Sequence, residues 1–279
     1  VRIRPDAPLL AAVRGRVEFT QRGVQLVGTQ ARVLGGEATI DGGTQADGSL
    51  RFTAQGQAQA DALRRTVELG LPARLATWMQ GQAPYRLQLG FVKGHVEYAL
   101  TSPLTGMAIN LPAPLGKSAE QAMPLRVQAS LQADSLAAGT GARDQLRVEI
   151  GPGVQALFVR DVDGEVPKVL RGAIGIQAAL PAAVPGVQAQ AEFAAIDLDA
   201  WRAAWARLAP EIGSGGEAGG GYMPQLINAR AQQLVLGGRR LTALSLELTR
   251  SARGDEDLWR ARITADQLRR HAQAGARLR

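Results

Sequence analysis

Pro124–Asp134, PLRVQASLQAD, places Leu125, Val127, Ala129, Leu131 and Ala133 on one side of an extended chain and Arg126, Gln128, Ser130, Gln132 and Asp134 on the other. A period of two with one apolar side is a half-buried β-strand. The same alternation returns in LRFTAQGQAQA (50–60), YRLQLGF (85–91), QLRVEI (145–150), VQAQAEF (187–193), LSLELT (244–249) and WRARITA (259–265). The chain therefore reads as mainly β, a one-sided antiparallel sheet with one or two short helices. Register sends Leu50, Phe52, Leu87, Leu89, Phe91, Leu125, Val127, Leu131, Leu146, Val148 and Ile150 to the same buried or concave side, because a one-residue slip would expose the whole set. What covers that side is the functional question.

Composition narrows the answer. The 279 residues suffice for a sizeable core, but only 4% are aromatic, so the apolar faces are rich in Ala, Val and Leu. The 33 glycines and 14 prolines are scattered as turn punctuation, which suits many short connections. With no cysteine, disulfides, thiolate metal sites and cysteine nucleophiles are excluded. No run reaches the roughly 18 apolar residues of a spanning helix. The opening VRIRPDAPLL has neither an initiator Met nor a signal-peptide layout, so the chain reads as a piece of something longer, with any membrane anchor outside it. The net charge of +7 comes from arginines set singly on the polar sides of strands (Arg51, Arg86, Arg126, Arg147, Arg260, Arg262). Without a compact patch and interleaved aromatics, no nucleic-acid partner is expected.

Along the chain, hairpins run from Arg14 to Ala60. Asp61 reads as the N-cap of a helix through Leu69, closed by Gly70 and Pro72, with strands resuming near Arg74. Between Ser102 and Lys117 the alternation stops, and three prolines that cannot donate to a ladder predict an ordered loop or crossover without a regular strand. In IDLDAWRAAWARLAP the period changes to helical: Asp199 caps, Trp201, Trp205 and Leu208 form one stripe, and Pro210 ends the helix. That stripe either plugs the helix onto the sheet or forms a lid over an apolar groove. The Gly-rich stretch 212–221 is expected to be a flexible surface loop, and the tail from Asp266 to Arg279 helical or frayed.

Chemistry is sparse. LPAPLGKS resembles a phosphate-binding loop, but Leu111 stands where its first glycine belongs, and Pro112 and Pro114 lack the N–H donors such a loop needs. His95 and His271 have no ligand-spaced neighbours, and no serine sits in a G-x-S-x-G elbow. Asp161, Asp163 and Glu165 read as a solvated turn, and Asp197 with Asp199 as helix capping. Nothing points to catalysis, a metal or a cofactor.

Several segments resemble AsmA-like proteins, in particular the very large YhdP type. RGRVEFTQRGVQLVGTQARVLGG (14–36) is similar to their strand, turn, strand and LGG cassette. Ser102, Leu104, Gly106, Leu111, Pro112, Pro114, Leu115, Gly116 and Lys117, followed by Pro124 and Leu125, match the S-x-L-x-G-x-x-x-x-L-P-x-P-L-G-K … P-L signature. Leu198–Trp205 resembles the D-L-D-x-W segment, and Leu234–Arg240 with Trp259 the later L-x-L-x-G-R … W strands. The tail after Ala265 departs from the pattern. The resemblance implies one continuous β-rich segment over 1–279: an extended, curled, groove-like sheet in the periplasm of a Gram-negative bacterium, belonging to an inner-membrane-anchored protein. Such a groove would pass phospholipids between inner and outer membranes, the eleven inward residues touching acyl chains and the loop shaping the rim. The alternative is a scaffold domain of an envelope complex whose faces pack dry against each other.

Overall fold

The computed structural model describes residues 8–21, 23–92, 94–132, 134–135, 141–164, 166–182, 184–212, 221–253 and 256–265. Most of the chain is strand, in one open, mixed sheet of fifteen strands. These are β1 (Ala11–Thr20), β2 (Gly23–Val33), β3 (Gly35–Thr44), β4 (Leu50–Gln59), β5 (Met79–Val92), β6 (His95–Ser102), β7 (Met107–Ile109), β8 (Leu125–Leu131), β9 (Arg143–Ile150), β10 (Val154–Asp161), β11 (Lys168–Ile176), β12 (Gly186–Asp197), β13 (Leu226–Leu236), β14 (Arg239–Arg253) and β15 (Glu256–Thr264). Strand order follows chain order except that β7 leaves the path to pair with β5. The mainly-β expectation is borne out. The chain divides into two compact units: Val1–Asn110, Gly116–Pro152 and Leu157–Leu170 form the first, and Leu111–Leu115, Gly153–Ala156 and Arg171–Arg279 the second.

The first unit is built by antiparallel hairpins from β1 to β6 and on through β8 and β9. The connections from β1 to β4 and from β5 to β6 are short, so each of these strands finds its chain neighbour first. Between β4 and β5 the structure departs from the reading of one capped helix followed by strand. Helix α1 (Ala60–Arg65) has Gln59, not Asp61, at its N-cap; Asp61 lies in the first turn, where it pairs with Arg64. Gly70, at φ 62°, separates a 3-10 turn (Val67–Leu69) from α2 (Leu71–Leu75), and another 3-10 turn (Ala76–Trp78) leads into β5. Pro72 starts α2 rather than excluding helix, because the first helical turn needs no donor from it. Small residues seat these turns: Ala60, Ala62, Ala73 and Ala76 are buried, as is Trp78.

The second unit departs from the antiparallel expectation. β11 and β12 run parallel, as do β12 and β13, and only from β13 to β15 does antiparallel pairing resume. Parallel neighbours need a crossover, and helix α3 (Leu198–Ile212) lies in the one from β12 to β13. Its cap is Asp197, whose Oδ1 accepts from Ala200 N at 2.9 Å; Asp199 lies within the first turn and accepts from Gly238 N at 3.4 Å. The helix continues through Pro210 to Ile212. Leu198 enters a core with Ala231, Leu234 and Leu244, against which Phe193, Ile196 and Leu241 also pack. Ala231 and Leu234 are three positions apart, which a flat strand would put on opposite faces. Ala243, at φ 52° in the partner strand, interrupts the regular strand there without shifting the register, and Leu241 and Leu244 reach the same cluster. The flexible-loop expectation for 212–221 and the reading of the 266–279 tail fall almost wholly outside the described residues, as do Glu165 and His271.

Candidate functional site

Cross-strand register in the first unit assembles the alternating apolar residues into rows. Phe52, Leu89, Tyr98, Ala129 and Leu146 are successive partners from β4 to β9; Ala54, Leu87, Leu100, Val127 and Val148 form the next row, and Ser102, Leu125 and Ile150 the one after. Leu50, Phe91 and Val96 continue the set on the other side, with Phe52 and Phe91 edge to face at 6.4 Å. All eleven inward residues therefore share one face. Its reverse is polar: Thr53, Gln88, Ala99, Gln128 and Arg147 form one row, and Gln55, Arg86, Thr101, Arg126 and Glu149 another.

The apolar face is neither dry core nor open surface. Leu50, Phe52, Leu87, Leu89, Phe91, Leu125, Val127, Val148 and Ile150 are each half-buried, a state that neighbouring side chains on the same sheet suffice to produce. The flanks differ. Ala31 and Ala38 on β2 and β3 are buried, and so are Ala129 and Leu146 toward β9. Tyr85, beside Gly56 on this face, has its phenol pushed up by burial. Leu131 faces Asp144, whose carboxylate is held side-on by Arg160: Nε donates to Oδ1 at 2.9 Å and Nη2 to Oδ2. Asp144 and Arg160 are both buried. Sequence reasoning missed this pair; Asp144 stands at an inward position of β9, where a charge calls for a partner, but the continuous apolar run Ala156–Val159 of β10 gives no parity by which to place Arg160.

The Ser102–Lys117 signature is ordered, and it contains one short strand that its prolines did not foretell. Met107–Ile109 pairs antiparallel with Met79–Gly81, where none of the prolines lies. Ile109 and Lys117 then exchange backbone hydrogen bonds at 2.9 and 3.0 Å, closing the base of the loop. Ser102 Oγ accepts from Leu104 N at 3.0 Å, holding Leu104 in its left-handed turn at φ 51°. A Cβ on Gly106 would lie 2.4 Å from Gln82 O, and one on Gly81 would lie 2.3 Å from Gly106 O; the strands meet this closely because neither residue has a side chain. Lys117 is buried, its Nζ donating to Met107 O and to Ser118 O at 2.9 Å. Desolvation holds this ammonium below the usual lysine range, with Glu120 acting in the opposite sense.

The loop tip belongs to the second unit. Leu111, Pro112, Pro114 and Leu115 are half-buried, the Ala113–Pro114 bond is cis, and Trp201 Nε1 on α3 donates to Ala113 O at 3.2 Å. Trp201 thus ties the helix to the loop, and Ala204 on α3 is buried. The side chains of Trp205 and Leu208 are not among those described, so the stripe they were expected to form with Trp201 lies partly outside the structure.

Among the described residues no group of three His, Asp or Glu side chains is arranged to hold a metal ion, and no helix is long and apolar enough to cross a membrane. His95 pairs with Val92 at the β5–β6 hairpin, and Asp163, whose N donates to Asp161 Oδ1 at 3.0 Å within its turn, accepts at Oδ1 from the distant Ala142 N at 3.0 Å. What the arrangement offers is surface: one apolar face, one polar face and a rigidly based loop. No curated protein and no solved structure matches the chain. The family model described as YhdP protein matches residues 1–277, nearly the whole of it. With the LGG cassette, the loop signature and the D-L-D-x-W segment all inside that match, the chain belongs to the YhdP protein family.

Proposed function

We propose that this chain is a non-catalytic segment of a periplasmic, inner-membrane-anchored envelope protein whose apolar sheet face carries phospholipid acyl chains between the inner and outer membranes and so supports outer-membrane integrity. The observation that carries the reading is the half-buried field over β4, β5, β6 and β8, bulky and apolar on one side and polar on the other. Four strands at ~4.8 Å spacing make that field about 14 Å wide, and the six steps from Leu50 to Gly56 make it about 20 Å long. One leaflet of a bilayer's hydrocarbon is about 15 Å deep, so a single lipid's tails fit within it. Each Å² of apolar surface withdrawn from water contributes about 25 cal/mol without directional contacts, which suits a cargo that must slide. Family membership supports an envelope role.

The scaffold reading draws on the buried flank at Ala129 and Leu146. Photocrosslinking in cells separates the two. A photoreactive residue at Leu89, Val127 or Val148 should capture phospholipid, and one at Gln88, Gln128 or Arg147 should not. Equal capture at both sets, or capture of protein alone at the inward positions, would favour the scaffold.

A further inference from the structure

We infer that phospholipid lies on this face in one orientation, its acyl ends against a wall formed by the α1 and α2 turns and its headgroup toward the turn between β3 and β4. This rests on the acyl-binding reading above. The face of β4 and β5 changes character along the strands although its parity does not. At one end Leu50 pairs with Phe91, Phe52 with Leu89 and Ala54 with Leu87, and all six are half-buried. Past Gly56 and Tyr85 the same side of the sheet carries Ala58 and Ala83, which are 9% and 2% exposed. β7 extends it, because Met107 and Ile109 pair with Gly81 and Met79, which share the parity of Ala83, and both are buried. Side chains of one parity differ in this way only where something lies across the sheet. At this end it is the helical insert: α1 packs on β3, β4 and β5, and a Cβ on Gly35, the partner of Ala58, would lie 2.8 Å from Ala62 Cβ. Ala60, Ala73, Ala76 and Trp78 are buried in the same insert.

An acyl chain lying along β4 and β5 is therefore stopped past Tyr85. That end offers nothing to a headgroup. Its inward side chains are uncharged, the Tyr85 phenol being pushed up by burial, and Lys117, buried in the loop base, is already bound by Met107 O and Ser118 O. The opposite end runs into water. Gln45, Ala46, Asp47 and Gly48 of the β3–β4 turn are exposed, as are Val92 and Gly94 at the β5–β6 hairpin. Asp47 accepts there from Ser49 N and Oγ at 3.0 and 2.6 Å, which lowers its pKa and keeps the carboxylate ionised. Withdrawing a charged headgroup from water is costly, whereas withdrawing methylene groups is favourable, so an amphiphile aligns with this asymmetry.

The test needs no substitution. Two phosphatidylethanolamine probes, one with a diazirine at the end of an acyl chain and one with a diazirine on the headgroup, are offered in phosphatidylcholine vesicles to the purified chain and photolysed. Trypsin separates the two ends of the face. Cleavage after Arg74 and Arg86 releases 75–86, with Ala83 and Tyr85, and cleavage after Arg32 and Arg51 releases 33–51, with the β3–β4 turn and Leu50. Mass spectrometry should find the acyl probe on 75–86 over 33–51 by roughly tenfold, and the headgroup probe with the opposite preference. That factor corresponds to ~1.4 kcal/mol, less than the cost of withdrawing a charged headgroup from water. Reversed preferences, or both probes spread evenly over the two peptides, would overturn the orientation and leave the acyl-binding reading standing. Absence of both probes from these peptides and from 87–93 would overturn both.

Discussion

The apolar face of β4, β5, β6 and β8 and the base of the Ser102–Lys117 loop are made from opposite materials. The face carries Leu, Phe, Tyr and Val in unbroken cross-strand rows and leaves them half-exposed. The loop base is built from glycine, serine, lysine and short apolar segments, yet it is closed: Met107 is 1% exposed, and Ser102, Leu104, Ile109 and Lys117 are all buried. Hydrophobic pattern and tight packing therefore part company in this molecule. A sheet buries its side chains only if something lies across them, whereas the loop closes on itself through backbone contacts that glycine permits.

The contrast predicts where the molecule is fragile. Gly106→Val should be the most damaging change, because Gly106 sits at φ 91° and the new Cβ would press on Gln82 O at 2.4 Å. Left-handed strain alone costs about 1–3 kcal/mol, and with the clash the loss should be roughly 3 kcal/mol or more, read as a fall in the urea midpoint. A loss below 1 kcal/mol would mean that the loop base gives way easily.

Next comes a matched pair of truncations. Met107→Ala empties a fully enclosed site and should cost about 3 kcal/mol, whereas Leu89→Ala removes a half-exposed side chain and should cost about 1 kcal/mol. Equal losses in chemical denaturation would show the face to be as tightly covered as the loop base, and would erase the comparison.

The smallest effect concerns Lys117. Its pKa is lowered in the folded chain, so the unfolded chain binds the proton more readily, and folded stability rises with pH between the lowered pKa and the ordinary lysine value of 10.5. Lys117→Met removes this dependence. The stability of the native chain relative to Lys117→Met should therefore climb as pH is raised from 7 toward 10.5, measured by urea denaturation at several pH values. A flat difference would place the ammonium in water rather than in the loop base.

Much of this was legible in local sequence. Strand-forming alternation needs only a period of two, and all eleven residues it sent inward do share a face, because each β-hairpin copies the parity of its neighbour. The loop was legible as a break, since three prolines cannot donate to a ladder, but Met107–Ile109 lies between them and was free to pair with β5. The parallel run of β11, β12 and β13 was not read, although a helical stretch between two strands is the mark of a crossover. The helix itself was read, but its cap was placed two residues late: Asp197 and Asp199 are both acidic, and only the geometry of Ala200 N distinguishes them.

By itself the sequence determined the strands, the parity of their faces, the apolar character of one face and the family signature, because each depends on neighbours along the chain. Tertiary structure alone decided which strands pair in parallel, that Gly81 and Gly106 meet, that Lys117 is enclosed by two carbonyls, and that Asp144 finds Arg160. Those outcomes join positions that no short-range pattern relates, and their energies arise only once the backbone has brought the groups within a few ångströms of each other.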